Sequence, residues 1–168
     1  MERNNSLSLL EAECKMVNTF GDYRAYAQDL VMLRLLKNLG FAARTIYDVG
    51  ASDGIWSYVA SWVFPEARFE LFDPLASEAK YINSRTFHRG LRRFIAQSNV
   101  HMHEVALGPR GVTKGCLSVY PDMVGSTTLP LDVRPDDVVP RTLPVVCLDS
   151  YAELKGLPAP DLIKLDTQ

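Results

Sequence analysis

A surplus of either charge is the first thing this chain lacks. Lys and Arg number 18 against 20 Asp and Glu in 168 residues, leaving a net charge of −2. No long-range field therefore draws the chain to nucleic acid or to an anionic membrane, and neither partner is expected. No apolar run approaches the roughly 20 residues that cross a bilayer. The start, Met1-Glu2-Arg3-Asn4-Asn5, has no basic stretch followed by an apolar one, so a secretory leader is not expected. Cysteine is scarce. Cys14, Cys116 and Cys147 stand far apart with no Cys-x-x-Cys pair, which argues against a metal or redox site. Apolar neighbours imply buried free thiols in a reducing compartment, and so a cytoplasmic protein. Gly-Lys-Ser/Thr is absent too, and with it a P-loop. Internal repeats and low-complexity segments are missing as well.

What is present is an ordinary globular composition, 47% apolar and 23% charged, in a chain long enough for one domain with a substantial core. Ser8 and Glu11 have the spacing of a capping box for a first short helix. After Asp22 a stronger helix is expected, with Met32, Leu35, Leu36 and Leu39 on one face and Gly40 ending it. Ile46, Tyr47 and Val49 then read as a buried strand. Gly54 opens a helix that presents Ile55, Val59, Trp62 and Val63 on one side and stops before Pro65. Phe69, Leu71 and Phe72 form a second strand closed by Pro74. A helical stretch from Leu75 to Gln97 is expected to break near Gly90, and its cluster from His88 to Arg93 reads as a solvated helix face. A third strand follows, with Val100, Met102 and Val105 inward. Between Gly111 and Val146 helical periodicity disappears and a β-hairpin is expected. Asp149 is placed to cap a short helix ended by Gly156, before a last strand at "DLIKLD".

Strands alternating with helices, and apolar on both sides, imply parallel strands with helices on both faces. Right-handed crossovers make a doubly wound α/β sheet of Rossmann-like type the simplest topology. The expected organisation is an N-terminal helical segment over residues 1–44 and a core over 45–168, carrying an irregular β insertion at about 111–146.

In such sheets the ligand lies beyond the carboxyl ends of the strands, where the winding reverses. The turn Asp48-Val49-Gly50-Ala51-Ser52-Asp53-Gly54 sits at such an end, although a plain strand–helix turn also uses glycine. Two further acids bear on the choice. Asp73 ends the second strand, about 20 residues past the glycine turn, where a carboxylate holds a ribose diol. Asp166 ends the last strand, which should pair beside the first. Carboxylates gathered at one sheet edge repel one another, and a positively charged nucleoside ligand accounts for all three. A pyrophosphate reading, with a nicotinamide-dependent oxidoreductase behind it, needs a glycine where Ser52 stands.

From Thr45 to the end the chain resembles the FkbM family of S-adenosylmethionine-dependent methyltransferases. The matching blocks, in the family's order, are "YDVGASDG", "FDP", "EVALG", "GSTTL", "VVCLDSY" and "DLIKLDTQ". The resemblance implies a class I methyltransferase fold, S-adenosylmethionine as cofactor, and O-methylation of a hydroxyl on a small molecule or sugar. It implies that Asp48, Gly50, Ser52 and Gly54 cradle the methionine half, that Asp73 holds the ribose and that Val105 and Ala106 line adenine. It also implies that Glu104 reaches the adenine amino group and that Asp166 lies beside the reacting methyl as base or substrate anchor. His88, His101 and His103 are other candidate bases, with solvent exposure the plain reading of the last two. Residues 111–139, with hydroxyls at Ser126, Thr127 and Thr128, are the expected substrate lip or a surface hairpin.

The chain departs from the family at Ser52, where Asn is favoured, and at Asp73, where Glu is favoured. The family also continues past Asp-Thr-Gln. The expectation is therefore a fold lacking its C-terminal strands after the fourth core strand. The alternative to an enzyme is a non-catalytic remnant that binds cofactor or self-associates into a homo-oligomer through an exposed sheet edge.

Overall fold

A computed structural model describes residues 26–78, 89–121, 123, 126 and 138–167. The Ser8–Glu11 capping box, Cys14, His88, Thr127 and Thr128 lie outside them. Along the chain run α1 (Ala27–Asn38), β1 (Thr45–Val49), α2 (Ile55–Ser61), β2 (Arg68–Phe72), α3 (Arg89–Ile95), β3 (Val100–His103), β4 (Ala106–Leu107), β5 (Lys114–Val119), β6 (Val139–Val146), α4 (Leu148–Lys155) and β7 (Leu162–Leu165).

Four strands form one sheet in the order β3-β2-β1-β7, every pair parallel. Alternation along these strands builds two cores. Ile46, Phe69, Leu71 and Val100 face one side and pack with Leu30 and Leu33 of α1, Ile55, Trp56 and Val59 of α2, and Leu91 and Phe94 of α3. Tyr47, Val49 and Phe72 face the other, against Leu148 and Tyr151 of α4 and against Val105 and Leu107. Helices thus cover both faces, and β1 is buried along its whole length. Each buried Leu, Ile or Phe side chain contributes about 1.5–3 kcal/mol. The result is an α/β fold with a parallel sheet flanked by helices, compatible with a Rossmann-like arrangement. No helix among the described residues is long and apolar enough to cross a membrane.

A second, three-stranded sheet of order β4-β6-β5 holds the expected hairpin, with β5 and β6 antiparallel. Leu117 and Val119 of β5 pack on Leu75, and Arg141 of β6 pairs with Glu78. The hairpin is therefore seated on the loop that follows β2.

Several local expectations are corrected. α1 turns Leu30 and Leu33 inward, while Met32, Leu35 and Leu39 are exposed. The helix carries apolar residues on two faces, so its period alone does not choose between them. Gly90 is the second residue of α3, where an added Cβ would strike the Tyr58 hydroxyl and ring, and the segment in which the expected break would fall, residues 79–88, lies outside the described residues. The expected third strand is two short ones, parted at Glu104 and Val105, with β4 leaving the main sheet to pair with β6. The N-cap of α4 is Cys147, and Asp149 sits in its first turn. Cys116 is exposed and Cys147 half-buried, so neither is the enclosed thiol expected. Arg89, Arg92 and Arg93 do lie on an exposed helix face.

Candidate functional site

The winding reverses between β1 and β7, because β2 and β3 extend the sheet one way from β1 and β7 the other. The turn after β1 and the end of β7 flank that reversal, the position at which open α/β sheets bind ligands.

The turn holds its own shape. Gly50, Ser52 and Gly54 have φ of 74°, 52° and 89°. The Gly50 and Ala51 N–H groups donate to the Phe72 carbonyl at 2.9 and 3.1 Å, and Gly54 N–H to the Ala51 carbonyl at 2.8 Å. Ser52 N–H donates to Asp73 Oδ2 at 2.9 Å, and Ile55 N–H to Asp53 Oδ1 at 3.1 Å. These amides point into the protein, so the turn is not a phosphate cradle of the kind that presents free N–H groups. Its glycines allow close packing. A Cβ on Gly50 would overlap the carbonyl of Asp166, and one on Gly54 would lie 2.9 Å from the Ile95 side chain. The space beside Gly50 where a side chain would go is filled by the backbone of Asp166, just past β7.

Asp48 is wholly buried. Its Oδ2 accepts a hydrogen bond from Ser57 of α2 at 2.7 Å. Its Oδ1 forms an ion pair with Lys164 Nζ at 3.0 Å. Burial pushes the Asp48 carboxyl above its ordinary range; Lys164 and the Ser57 hydroxyl offset part of this. Lys164 also donates to the Gly50 carbonyl at 2.9 Å and lies 3.5 Å from Asp166 Oδ2, with the Trp56 ring centroid 6.0 Å away. Asp166 itself is 69% exposed. Strand alternation explains the trio: Lys164 precedes Asp166 by two residues and shares its face.

The N-terminal end of α1 adds to this group of acids. Tyr26, its N-cap, has its phenol pushed up to about 12, first by burial and then by Asp53, Asp48 and Asp166. Asp29 in the first turn is raised by burial, with Lys164 opposing and Asp166 reinforcing.

The remaining candidates lie on the β2–β3 side. Asp73 is buried, and its Oδ1 accepts Leu75 N–H at 2.8 Å while Oδ2 takes Ser52 N–H. The carboxylate thus holds the loop after β2 against the turn after β1. Glu104 is exposed and accepts a hydrogen bond from Ser77 at 2.7 Å. Val105 is half-buried, and Ala106 is buried in β4. Ser126 donates to the Met123 carbonyl at 3.0 Å. The structure therefore joins Asp48 to Asp166 through Lys164, Asp73 to Ser52 directly, and Glu104 to the loop beside Asp73.

Lys164 escaped sequence reasoning: it supplies inside the chain a positive charge that had been assigned entirely to a ligand. For His103, a candidate base, the expected solvent exposure is corrected: its side chain is only 13% exposed and stacks on Phe72 with ring centroids 4.7 Å apart. Its Nε2 lies 2.6 Å from Glu70 Oε2 and its Nδ1 3.2 Å from the Tyr151 hydroxyl. Burial alone would raise Glu70, but hydrogen bonds from His103 and Arg68 outweigh it and hold the carboxyl below its ordinary range. Alternation put His103 on the right face; the covering helix α4 was not read from it. Among the described residues no three His, Cys, Asp or Glu side chains gather as a metal site.

Compared with known proteins, the chain matches no family model, no curated protein and no solved structure.

Proposed function

We propose that the chain is an S-adenosylmethionine-dependent methyltransferase of the FkbM type, with a class I methyltransferase core, acting on a hydroxyl of a small molecule or sugar. One observation carries the reading. At the reversal between β1 and β7, Lys164 lies 3.0 Å from Asp48 and 3.5 Å from Asp166, and Asp53, Asp48, Asp166 and Asp29 all act on Tyr26. An acidic crevice whose turn amides are already engaged suits a sulfonium and an ammonium and disfavours a pyrophosphate. The residues fit the cofactor in that sense. Asp166 and the carbonyl side of the turn from Gly50 to Gly54 would face the methionine half, with Asp48 beneath them. Asp73 would take the ribose hydroxyls, Val105 and Ala106 the adenine face, and Glu104 the adenine amino group.

When bound, the cofactor supplies an electrophilic methyl. The protein's task is then to align the acceptor hydroxyl with it in a water-poor site. Asp166, exposed at the carboxyl edge of β7, accepts the hydroxyl proton or anchors the acceptor. The β5–β6 hairpin, seated on the loop carrying Asp73, forms a wall of the acceptor site. The reading also carries a cytoplasmic setting.

Calorimetric titration with S-adenosylmethionine and S-adenosylhomocysteine, with NAD⁺ as control, tests the proposal. Saturable heat from the first two supports it, and no heat at millimolar ligand overturns it.

A second reading, a non-catalytic module that self-associates, draws on β7. This strand is an edge of the described sheet, and Ile163 and Leu165 on it are 43% and 72% exposed. Monomeric light scattering together with cofactor turnover would rule this out.

A further inference from the structure

We infer that Lys164 is the positioning residue of the crevice, fixing the carbonyl of Gly50 and the carboxylate of Asp166 relative to each other. The inference rests on the adenosylmethionine reading for its ligand and on geometry alone for its mechanism. An ammonium has three hydrogens. Lys164 directs one to the Gly50 carbonyl at 2.9 Å, has Asp48 Oδ1 as a charge partner at 3.0 Å, and meets Asp166 Oδ2 at 3.5 Å. The side chain is 15% exposed and lies beside the Trp56 ring, so its stem is enclosed while its head reaches the crevice. The three oxygens belong to different parts of the fold: the middle of the site's first strand, its left-handed turn, and the end of the last strand. Asp166, largely in solvent, has little packing to orient it, and Lys164 supplies a fixed charge beside it.

The consequence is chemical as well as mechanical. The crevice presents a defined pattern, an ammonium flanked by carboxylates, in place of repelling acids that a ligand must neutralise alone. Such a pattern suits a zwitterionic group better than a simple cation. The sequence signal is modest: a lysine two residues before an aspartate at the end of an otherwise apolar strand.

Removing Lys164 alone leaves Asp48 buried with its counter-charge gone, which threatens folding. The test therefore compares Asp48→Asn with Asp48→Asn/Lys164→Met, neither of which strands a buried carboxylate at that position. Two readouts are needed: affinity for S-adenosylhomocysteine by calorimetry, and the carbonyl-carbon resonance of Gly50 in the ligand-free protein. Asp48→Asn, itself a change within the cofactor site, sets the reference affinity for the comparison. Adding Lys164→Met should weaken binding by about tenfold or more, the factor one charge-assisted hydrogen bond is worth. It should also shift the Gly50 carbonyl resonance, which a general loss of stability would not do selectively. Equal affinity in the two variants, or an unmoved Gly50 resonance, overturns the inference. If wild type binds no S-adenosylhomocysteine, the cofactor reading fails, and the Gly50 resonance alone still decides the role of Lys164.

Discussion

Replacing Gly50 with alanine gives the sharpest test of how this crevice is built. Gly50 has φ of 74°, where an L-residue costs about 1–2 kcal/mol. A Cβ there would overlap the Asp166 carbonyl and come 2.9 Å from its carbon, so the turn and the end of β7 must part. The last rung between the strands, Asp166 N–H to the Val49 carbonyl at 3.0 Å, would then weaken at about 0.5–1.5 kcal/mol. Reduced freedom of the unfolded chain returns about 0.4–1 kcal/mol. The net loss is about 0.5–3 kcal/mol, against the 5–15 kcal/mol that typically holds a domain together. Gly156 provides the control: its φ is 63°, with nothing within 4 Å of an added Cβ. Gly156→Ala carries the backbone cost without the collision. Urea unfolding of both variants separates the two effects. If Gly50→Ala is no less stable than Gly156→Ala, the close approach of β7 to the turn is not structural, and the picture of the crevice fails with it.

Ser57→Ala removes the donor to the buried Asp48 carboxylate and should lower unfolding free energy by about 1.5–3 kcal/mol; an unchanged denaturation midpoint would contradict this. Tyr26, raised from 10.0 to about 12, binds its proton more tightly in the folded state. The stability it contributes is full below its unfolded value and is lost as pH rises through the folded one. Tyr26→Phe should flatten that alkaline decline, and identical unfolding slopes would refute it. Glu70 is lowered, so its contribution is present above the ordinary carboxyl range and disappears as pH falls through its lower folded value. Glu70→Gln should shallow the acid limb of stability against pH; superimposable acid transitions would count against the Glu70–His103–Arg68 network.

The sheet was legible because its strands announce themselves twice, once in apolar alternation and again in the turn that ends each one. Ile46 to Val49 and Phe69 to Phe72 are short, apolar and closed by Gly50 and Pro74, and their parallel pairing follows from the helices between them. Gly156 ended its helix as expected, in a left-handed conformation. Orientation was harder to read where a segment is apolar on more than one side. α1 could bury Leu30 and Leu33 or Met32 and Leu35, and packing against α2 chose the first pair. In the site, the acids stood out because carboxylates at strand ends are costly to group. Lys164 did not, because a lysine in a strand is ordinarily taken to point to solvent. His103 stood among the candidate bases, but its burial was not legible, because its cover, α4, lies 45 residues further along the chain. Pairings over such separations leave no periodic trace.

The turn after β1 closes its amides on Phe72, Asp73, Ala51 and Asp53, and this bears on how any guest is received. Fixing one residue's backbone costs about 1–2 kcal/mol, and a loop already locked from within demands none of it at the moment of encounter. Association there should be quick and rigid-body in character. Discrimination between guests then falls to side chains alone, where single substitutions can retune it without remaking the frame.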